Sequence, residues 1–240
     1  MFERRLQRLR IGRFYPILAI DHGLTVGFGD IIKTSKIAYT LTSCKDSIRG
    51  VVMTYGIARS VGETFSTPLI LQCFGSPSGH PRVKIASIEQ AIALDAAAVS
   101  VQIDLQHQAL AIHLREIADF VSEAHNMCIP VMFMTAGFCD LHIHEICKAI
   151  RVSHELGADL IKVPYHASAF NGSAEVDDLK AILQASPPTL LAGGPANPDI
   201  VSEAISAKRL GFSGYCIGRS IFQAEHPGEV ASSLLDAFTQ

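Results

Sequence analysis

Eight short apolar runs, separated by helical stretches and turn residues, constrain this chain more than any other feature. They occupy residues 15–20, 50–54, 68–74, 98–103, 130–134, 159–163, 189–192 and 214–217. Each run is nearly continuous in apolar character. Strands with one solvated face alternate instead, so these runs have the pattern of strands buried on both faces, as in a parallel sheet. Between them, residues 109–124 place Leu110, Ile112, Leu114, Ile117, Ala118 and Val121 close to a 3.6-residue period. Residues 142–156 and 198–210 behave alike, and Gly157 and Gly211 follow them where C-terminal caps are expected. Ser87 and Gln90 have the spacing of a capping box that opens a helix over 87–94. Strands alternating with helices over 240 residues predict an α/β protein with a single (β/α)8 TIM barrel. An open doubly wound sheet is the alternative.

The barrel rhythm starts near Tyr15, and nothing in the composition of residues 1–240 suggests a second domain. Residues 1–14 mix Arg4, Arg5, Arg8, Arg10 and Arg13 with Phe2, Leu6, Leu9 and Ile11. This is expected to be an amphipathic extension that covers one end of the fold. Glu3 and the absence of a Ser-rich tract argue against an organelle-targeting peptide.

The net charge of −3, with both signs mixed, offers no field for nucleic acid, although one local anion pocket stays compatible with it. No apolar run approaches the ~18 residues of a membrane span. The six cysteines lack CxxC spacing and several lie in apolar runs. They are expected to be reduced core residues of a cytoplasmic protein.

In a (β/α)8 barrel, chemistry belongs at the C-terminal ends of the strands. The first run ends in Asp21-His22-Gly23, a carboxylate and an imidazole suited to acid, base or ligand roles, although Asp and Gly also make ordinary turns. The sixth run carries Lys162 between Ile161 and Val163. A lysine in a strand either pairs with a carboxylate, Asp21 being one candidate, or works as an amine nucleophile that forms a Schiff base. The seventh run ends in Ala192-Gly193-Gly194-Pro195 and the eighth in Ile217-Gly218-Arg219-Ser220. Glycines let backbone N–H groups approach an anion, Arg219 can add a bidentate contact, and loops at these two strands are the recurrent phosphate site of the barrel. Arg82 and Lys84, together with Tyr55 and Arg59, could reach a second phosphate or a carboxylate, or form exposed basic loops. His142 and His144 point about 200° apart on a helix and cannot share one ion, so no metal site is expected.

Taken in order, Ile20-Asp21-His22-Gly23, the segment 157–162, Ala192-Gly193-Gly194-Pro195 and Gly218-Arg219-Ser220-Ile221-Phe222-Gln223 resemble the archaeal-type class I aldolases. That group includes fructose-bisphosphate aldolase, 2-amino-3,7-dideoxy-D-threo-hept-6-ulosonate synthase and a thiolase acting on autoinducer-2-phosphate breakdown products. The resemblance spans about residues 15–223. It implies that Lys162 forms the Schiff base and that no external cofactor is needed. It further implies that Asp21 and His22 serve catalysis and that Gly193, Gly194, Gly218 and Arg219 hold the substrate phosphate. A homo-oligomer is implied as well, although the chain is a little shorter at both ends than typical members. In the aldolases of this group a tyrosine ends the fifth strand and moves the proton. Here Thr135 stands at or near that place, as in the thiolase relative. Threonine has no acid–base character near neutrality, so Tyr165 and His22 become the candidates for that role. The expected activity is formation or cleavage of a C–C bond in a phosphorylated ketose. The alternatives are a coenzyme A-dependent thiolase on a phosphorylated β-diketone and a non-catalytic phosphosugar-binding barrel.

Overall fold

The computed structural model of the protein describes residues 1–25, 34–62, 65–77, 80–105, 110–136, 142–166 and 173–239. Its strands are β1 (Tyr15–Ala19), β2 (Gly50–Thr54), β3 (Leu69–Gln72), β4 (Phe74–Gly75), β5 (Val83–Lys84), β6 (Ala98–Asp104), β7 (Val131–Ala136), β8 (Leu160–Pro164), β9 (Thr189–Ala192) and β10 (Gly214–Ile217). All except β4 and β5 close into one barrel in the order β1-β10-β9-β8-β7-β6-β3-β2. Every pairing in it is parallel. Helices Thr34–Cys44, Tyr55–Val61, Ile88–Ala93, Leu110–Asn126, Ile143–Glu155, Ser173–Ala185, Ile200–Leu210 and Pro227–Thr239 follow the barrel strands in turn. This is the single (β/α)8 barrel that the rhythm of the runs predicts.

The two faces of each strand bury into different places. Ile17, Ala19, Val52, Ile70, Met132 and Leu190 fill the barrel interior. Leu18, Val51, Leu71, Val99, Phe133 and Ile161 pack outward against the helices. Both faces are dry, which is why the runs do not alternate in sequence. The helix ends also follow local chemistry. The Ser87 hydroxyl accepts from the Gln90 N–H at 3.2 Å, and the Gln90 side chain accepts from the Ser87 N–H at 2.9 Å. Gly157 and Gly211 stop their helices at φ of +90° and +112°, a conformation that costs glycine little.

One run departs from expectation. The third, expected over 68–74, leaves the barrel after Gln72. The Cys73 N–H still donates to the Ser100 carbonyl at 2.9 Å. The Gln72 amide then donates to the Phe74 carbonyl at 3.1 Å. From there β4 turns away and pairs antiparallel with β5. Hydrogen-bond partners outside the barrel thus end a strand that apolar character alone would extend.

The N-terminal helix, Phe2–Arg8, leads into Leu9, which is fully buried beside the inward side chains of the barrel floor. A Cβ on Gly50 would stand 3.0 Å from Leu9 Cδ2, so the side chain fills the space under β2. Arg5 donates to the Ala96 carbonyl, and Arg8 pairs with Asp95 at 3.0 Å. Among the described residues, no helix is long and apolar enough to cross a membrane.

Leu9→Ala is expected to cost about 3 kcal/mol, because it opens a cavity under a floor that cannot collapse around it. The exposed Arg8–Asp95 pair contributes little, and Arg8→Ala should cost under about 1 kcal/mol. Urea unfolding, with the midpoints compared at equal slope, checks both values.

Candidate active site

Strand alternation places Lys162. Its neighbours Ile161 and Val163 belong to the outer core, so the lysine side chain turns into the barrel. Its Nζ lies 3.9 Å from Met134 Sδ on β7. It also hydrogen-bonds the Cys216 side chain on β10, whose pKa burial raises and the lysine charge partly restrains. Thioether and thiol are weak acceptors, so the amine is held in place without its donor capacity being consumed. The two bonding strands flank β8 and β9, and together they centre the amine in the barrel mouth. Of the two readings open from sequence, the ion pair with Asp21 does not form. The basic group that Asp21 approaches is His22, with Oδ1 3.6 Å from Nδ1.

Asp21 follows β1 and is almost fully buried. Its Oδ2 accepts from the Gln102 amide of β6 at 3.5 Å, across the barrel. The His22 ring stands edge-on to Phe222, with centroids 5.4 Å apart. It lies directly over Gly218. A Cβ there would sit 2.2 Å from His22 Cε1 and 2.5 Å from the Ala19 carbonyl oxygen. Gly218 is therefore needed for the Asp-His turn to occupy its place.

The two glycine loops are bolted to each other. Arg219 Nε donates to the Gly194 carbonyl at 3.0 Å, and the Ser220 hydroxyl accepts from the Asn197 N–H at 3.1 Å. Gly194 has φ of +60°, and a Cβ on Gly193 would come within 2.9 Å of Ile217. Side chains other than glycine would thus strain the first loop and push it off β10. Asp21, His22, Gly193, Gly194, Gly218 and Arg219 form one connected edge of the mouth, with Lys162 inside it.

Tyr165 and Thr135 stand in different settings. Tyr165 is three positions from Lys162, and an odd separation along extended backbone puts the two side chains on opposite faces. Tyr165 packs on Phe212 between barrel and helices, with ring centroids 5.6 Å apart. Burial, and secondarily the Glu203 carboxylate, raise its phenol pKa. The Tyr165 ring thus lies in the outer core, on the face of the chain opposite the Lys162 side chain. Thr135 ends β7, and its hydroxyl donates to the Lys162 carbonyl oxygen at 3.2 Å. It ties the backbone of two strand ends together and is not aimed at the amine.

Sequence reasoning missed the polar lining on β3 and β6. Gln72, Ser100 and Gln102 all point inward and are buried. A signal for them was present in β6, where Ser100, Gln102 and Asp104 recur at period two within an apolar strand. Asp21 Oδ1, Gln72 Oε1, Ser100 Oγ and Gln102 Oε1 are buried acceptors without a hydrogen-bond partner among the described residues. His166 was missed as well, and a Cβ on Gly194 would stand 3.9 Å from its Nε2. The basic residues after the second and third runs have partners of their own. Arg59 lies over the Tyr55 ring, Arg82 bonds Ser76, and Lys84 pairs with Glu123 at 3.7 Å. Among the described residues, no group of three or more His, Cys, Asp or Glu side chains could hold a metal ion. His142 stands at the N-cap of the helix Ile143–Glu155.

The profile of the DeoC/LacD family aldolase matches residues 16–224. The chain is 27% identical over 242 residues to 2-amino-3,7-dideoxy-D-threo-hept-6-ulosonate synthase 1 of Archaeoglobus fulgidus, covering 97% of this chain and 88% of that protein. It is 27% identical to the class 1 fructose-bisphosphate aldolase of Thermoproteus tenax, with coverage of 92% and 88%. To the 3-hydroxy-5-phosphonooxypentane-2,4-dione thiolase of Shigella flexneri it is 26% identical, with coverage of 88% and 82%. A solved archaeal fructose-1,6-bisphosphate aldolase, with its catalytic lysine covalently bound to the carbinolamine intermediate of the substrate, superposes with a TM-score of 0.84. The identity is 24% and coverage is 99% of both chains. At that identity the likeness concerns the fold.

Gly218→Ala is expected to displace His22 and to lower stability by about 1–3 kcal/mol, as overpacking does. Gly23→Ala, where a Cβ meets nothing within 4 Å, is the control and should leave the melting temperature nearly unchanged. Thermal unfolding of the two variants checks the contrast.

Proposed function

The chain belongs to the DeoC/LacD aldolase family and is a carbon–carbon lyase, and from that premise we propose that Lys162 forms a Schiff base with the ketone of a phosphorylated ketose. One observation carries the reading. The amine stands on the inner face of β8, held by the sulfurs of Met134 and Cys216 and paired with no carboxylate among the described residues.

Lys162 attacks the ketone carbon, and loss of water from the carbinolamine leaves an iminium. When the neighbouring C–C bond breaks, its electron pair moves into the iminium and gives an enamine. The aldehyde departs, and protonation and hydrolysis then free the lysine. Run in reverse, the same steps form the bond, so covalent catalysis divides one difficult step into easier ones. In this scheme Asp21 and His22 orient substrate hydroxyls and move the proton, and the Gln102 and His22 contacts of Asp21 support that reading. The joined loops around Gly193, Gly194, Gly218 and Arg219 are suited to the phosphate. Binding energy gained there aligns the carbonyl with the amine. No external cofactor is required in this scheme. The described cysteines are all free thiols, which supports a cytoplasmic setting. Assembly as a homo-oligomer belongs to the same reading.

A second reading is coenzyme A-dependent cleavage of a phosphorylated β-diketone. Thr135 motivates it, since the end of β7 carries an aliphatic hydroxyl bonded to the Lys162 carbonyl and no phenol.

Borohydride reduction in the presence of a panel of phosphorylated ketones should add the mass of one reduced substrate to the peptide that carries Lys162. Lys162→Met should fold, give no adduct and lose about 10³-fold or more in turnover, as loss of a covalent nucleophile does. An unmodified lysine in an enzyme that still turns over would overturn the proposal. Product analysis with and without coenzyme A separates the two readings. Thiol-independent turnover is expected for the aldolase, and an acyl-thioester product would favour the thiolase.

A further inference from the structure

The opposite end of the barrel carries a basic cavity that the chemistry at Lys162 does not use. It measures about 460 Å³ and is lined by Arg10, Arg13 and Lys208 around Phe14 and Tyr15, with Gly211 to Ser213 forming one wall. Arg13 Cζ lies 5.4 Å from the Phe14 ring centroid, and Lys208 Nζ lies 5.7 Å from the same centroid. Arg10 hydrogen-bonds the Tyr15 hydroxyl, which also feels the Glu3 charge. No carboxylate lines the cavity among the described residues.

The contrast with the neighbouring arginines is informative. Arg5 and Arg8 of the same segment both pair with Asp95. Arg10, Arg13 and Lys208 form no such pair among the described residues. The chain as a whole carries a net charge of −3, so three cations around one cavity are not a consequence of composition. Like charges lining a single cavity repel each other. The Phe14 ring face offsets part of that repulsion and holds Arg13 and Lys208 in position. An anion bound in the cavity they line would offset that repulsion and accept charge-assisted hydrogen bonds from the cations.

From this geometry we infer that the cavity on the N-terminal side of the barrel binds a small multivalent anion of the phosphate type. It is a site separate from the mouth. β1 starts at the cavity with Tyr15 and leads toward Asp21 at the mouth, and β10 follows Ser213 and leads to Gly218. The site is therefore carried by the two strands that close the barrel, at their opposite ends from the Asp-His turn. Nothing in the inference depends on the Schiff base.

The test is a pyrophosphate titration of the full chain, followed by backbone amide NMR. Saturable shifts of the Gly211 and Ser213 amides are expected. In the double variant Arg13→Gln, Lys208→Gln these shifts should need about tenfold or more ligand, given the worth of two charge-assisted hydrogen bonds. The Gly194 and Arg219 amides report the mouth separately and should keep the wild-type response, so failure at either end is told apart from the other. Arg151→Gln, which removes a distant exposed cation, should leave the Gly211 response unchanged. Absence of the Gly211 and Ser213 shifts, an unchanged midpoint in the folded double variant, or equal weakening by Arg151→Gln would each overturn the inference.

Discussion

The seam between β1 and β10 is the contact on which the mouth of this barrel depends. A Cβ on Gly214, at one end of β10, would stand 2.4 Å from the Tyr15 carbonyl oxygen, and one on Gly218, at the other end, 2.2 Å from the His22 ring. Backbone approaches this close exclude every residue except glycine. Because the seam closes so tightly, the Asp21-His22 turn lies directly beside Gly218 and Arg219. Arg219 in turn holds the carbonyl of Gly194, so one packing constraint brings three separate strand ends into register. Cys216, between the two glycines, is what meets Lys162 from that side.

The same alternation that makes the core also makes the site. Inward positions are apolar near the floor, where Leu9, Ile17, Val52 and Ile70 meet, and become polar toward the mouth, where Asp21, Gln72, Gln102 and Lys162 stand. Buried acceptors without partners cost roughly 1–3 kcal/mol each. The outer core, in which both strand faces and the helices are dry, offsets that cost. A barrel divides these tasks well, since substitutions at inward mouth positions leave the outward packing of the same strands in place. Thr135 shows the division at one residue, since its hydroxyl fastens the Lys162 backbone and leaves the amine to its neighbours inside.

Much of this was legible along the chain. Apolar runs, helical periods and the capping residues Ser87, Gly157 and Gly211 are local signals, and apart from the end of the third run they report local structure correctly. Lys162 was conspicuous because a charged residue in a buried strand demands an explanation. What was not legible depended on face and height. Tyr165 looked like a partner of Lys162 because it is near in sequence, yet an odd spacing sends it to the outer layer against Phe212. Gln72, Ser100 and Gln102 looked like minor interruptions of apolar runs, yet β3 and β6 pair and bury them side by side.

The order of side chains thus set the number of strands, their two dry faces and the types of group at their ends, because period and composition act over a few residues. Barrel closure settled which of those groups share one space. Lys162, Asp21, Gln102 and Cys216 come from four strands spread over most of the chain. Closure with a tilt brings them level, and no property of any one segment records that height. The cationic floor arises in the same way, since Arg13 and Lys208 are distant in sequence and meet over Phe14 once the first and last barrel strands are joined.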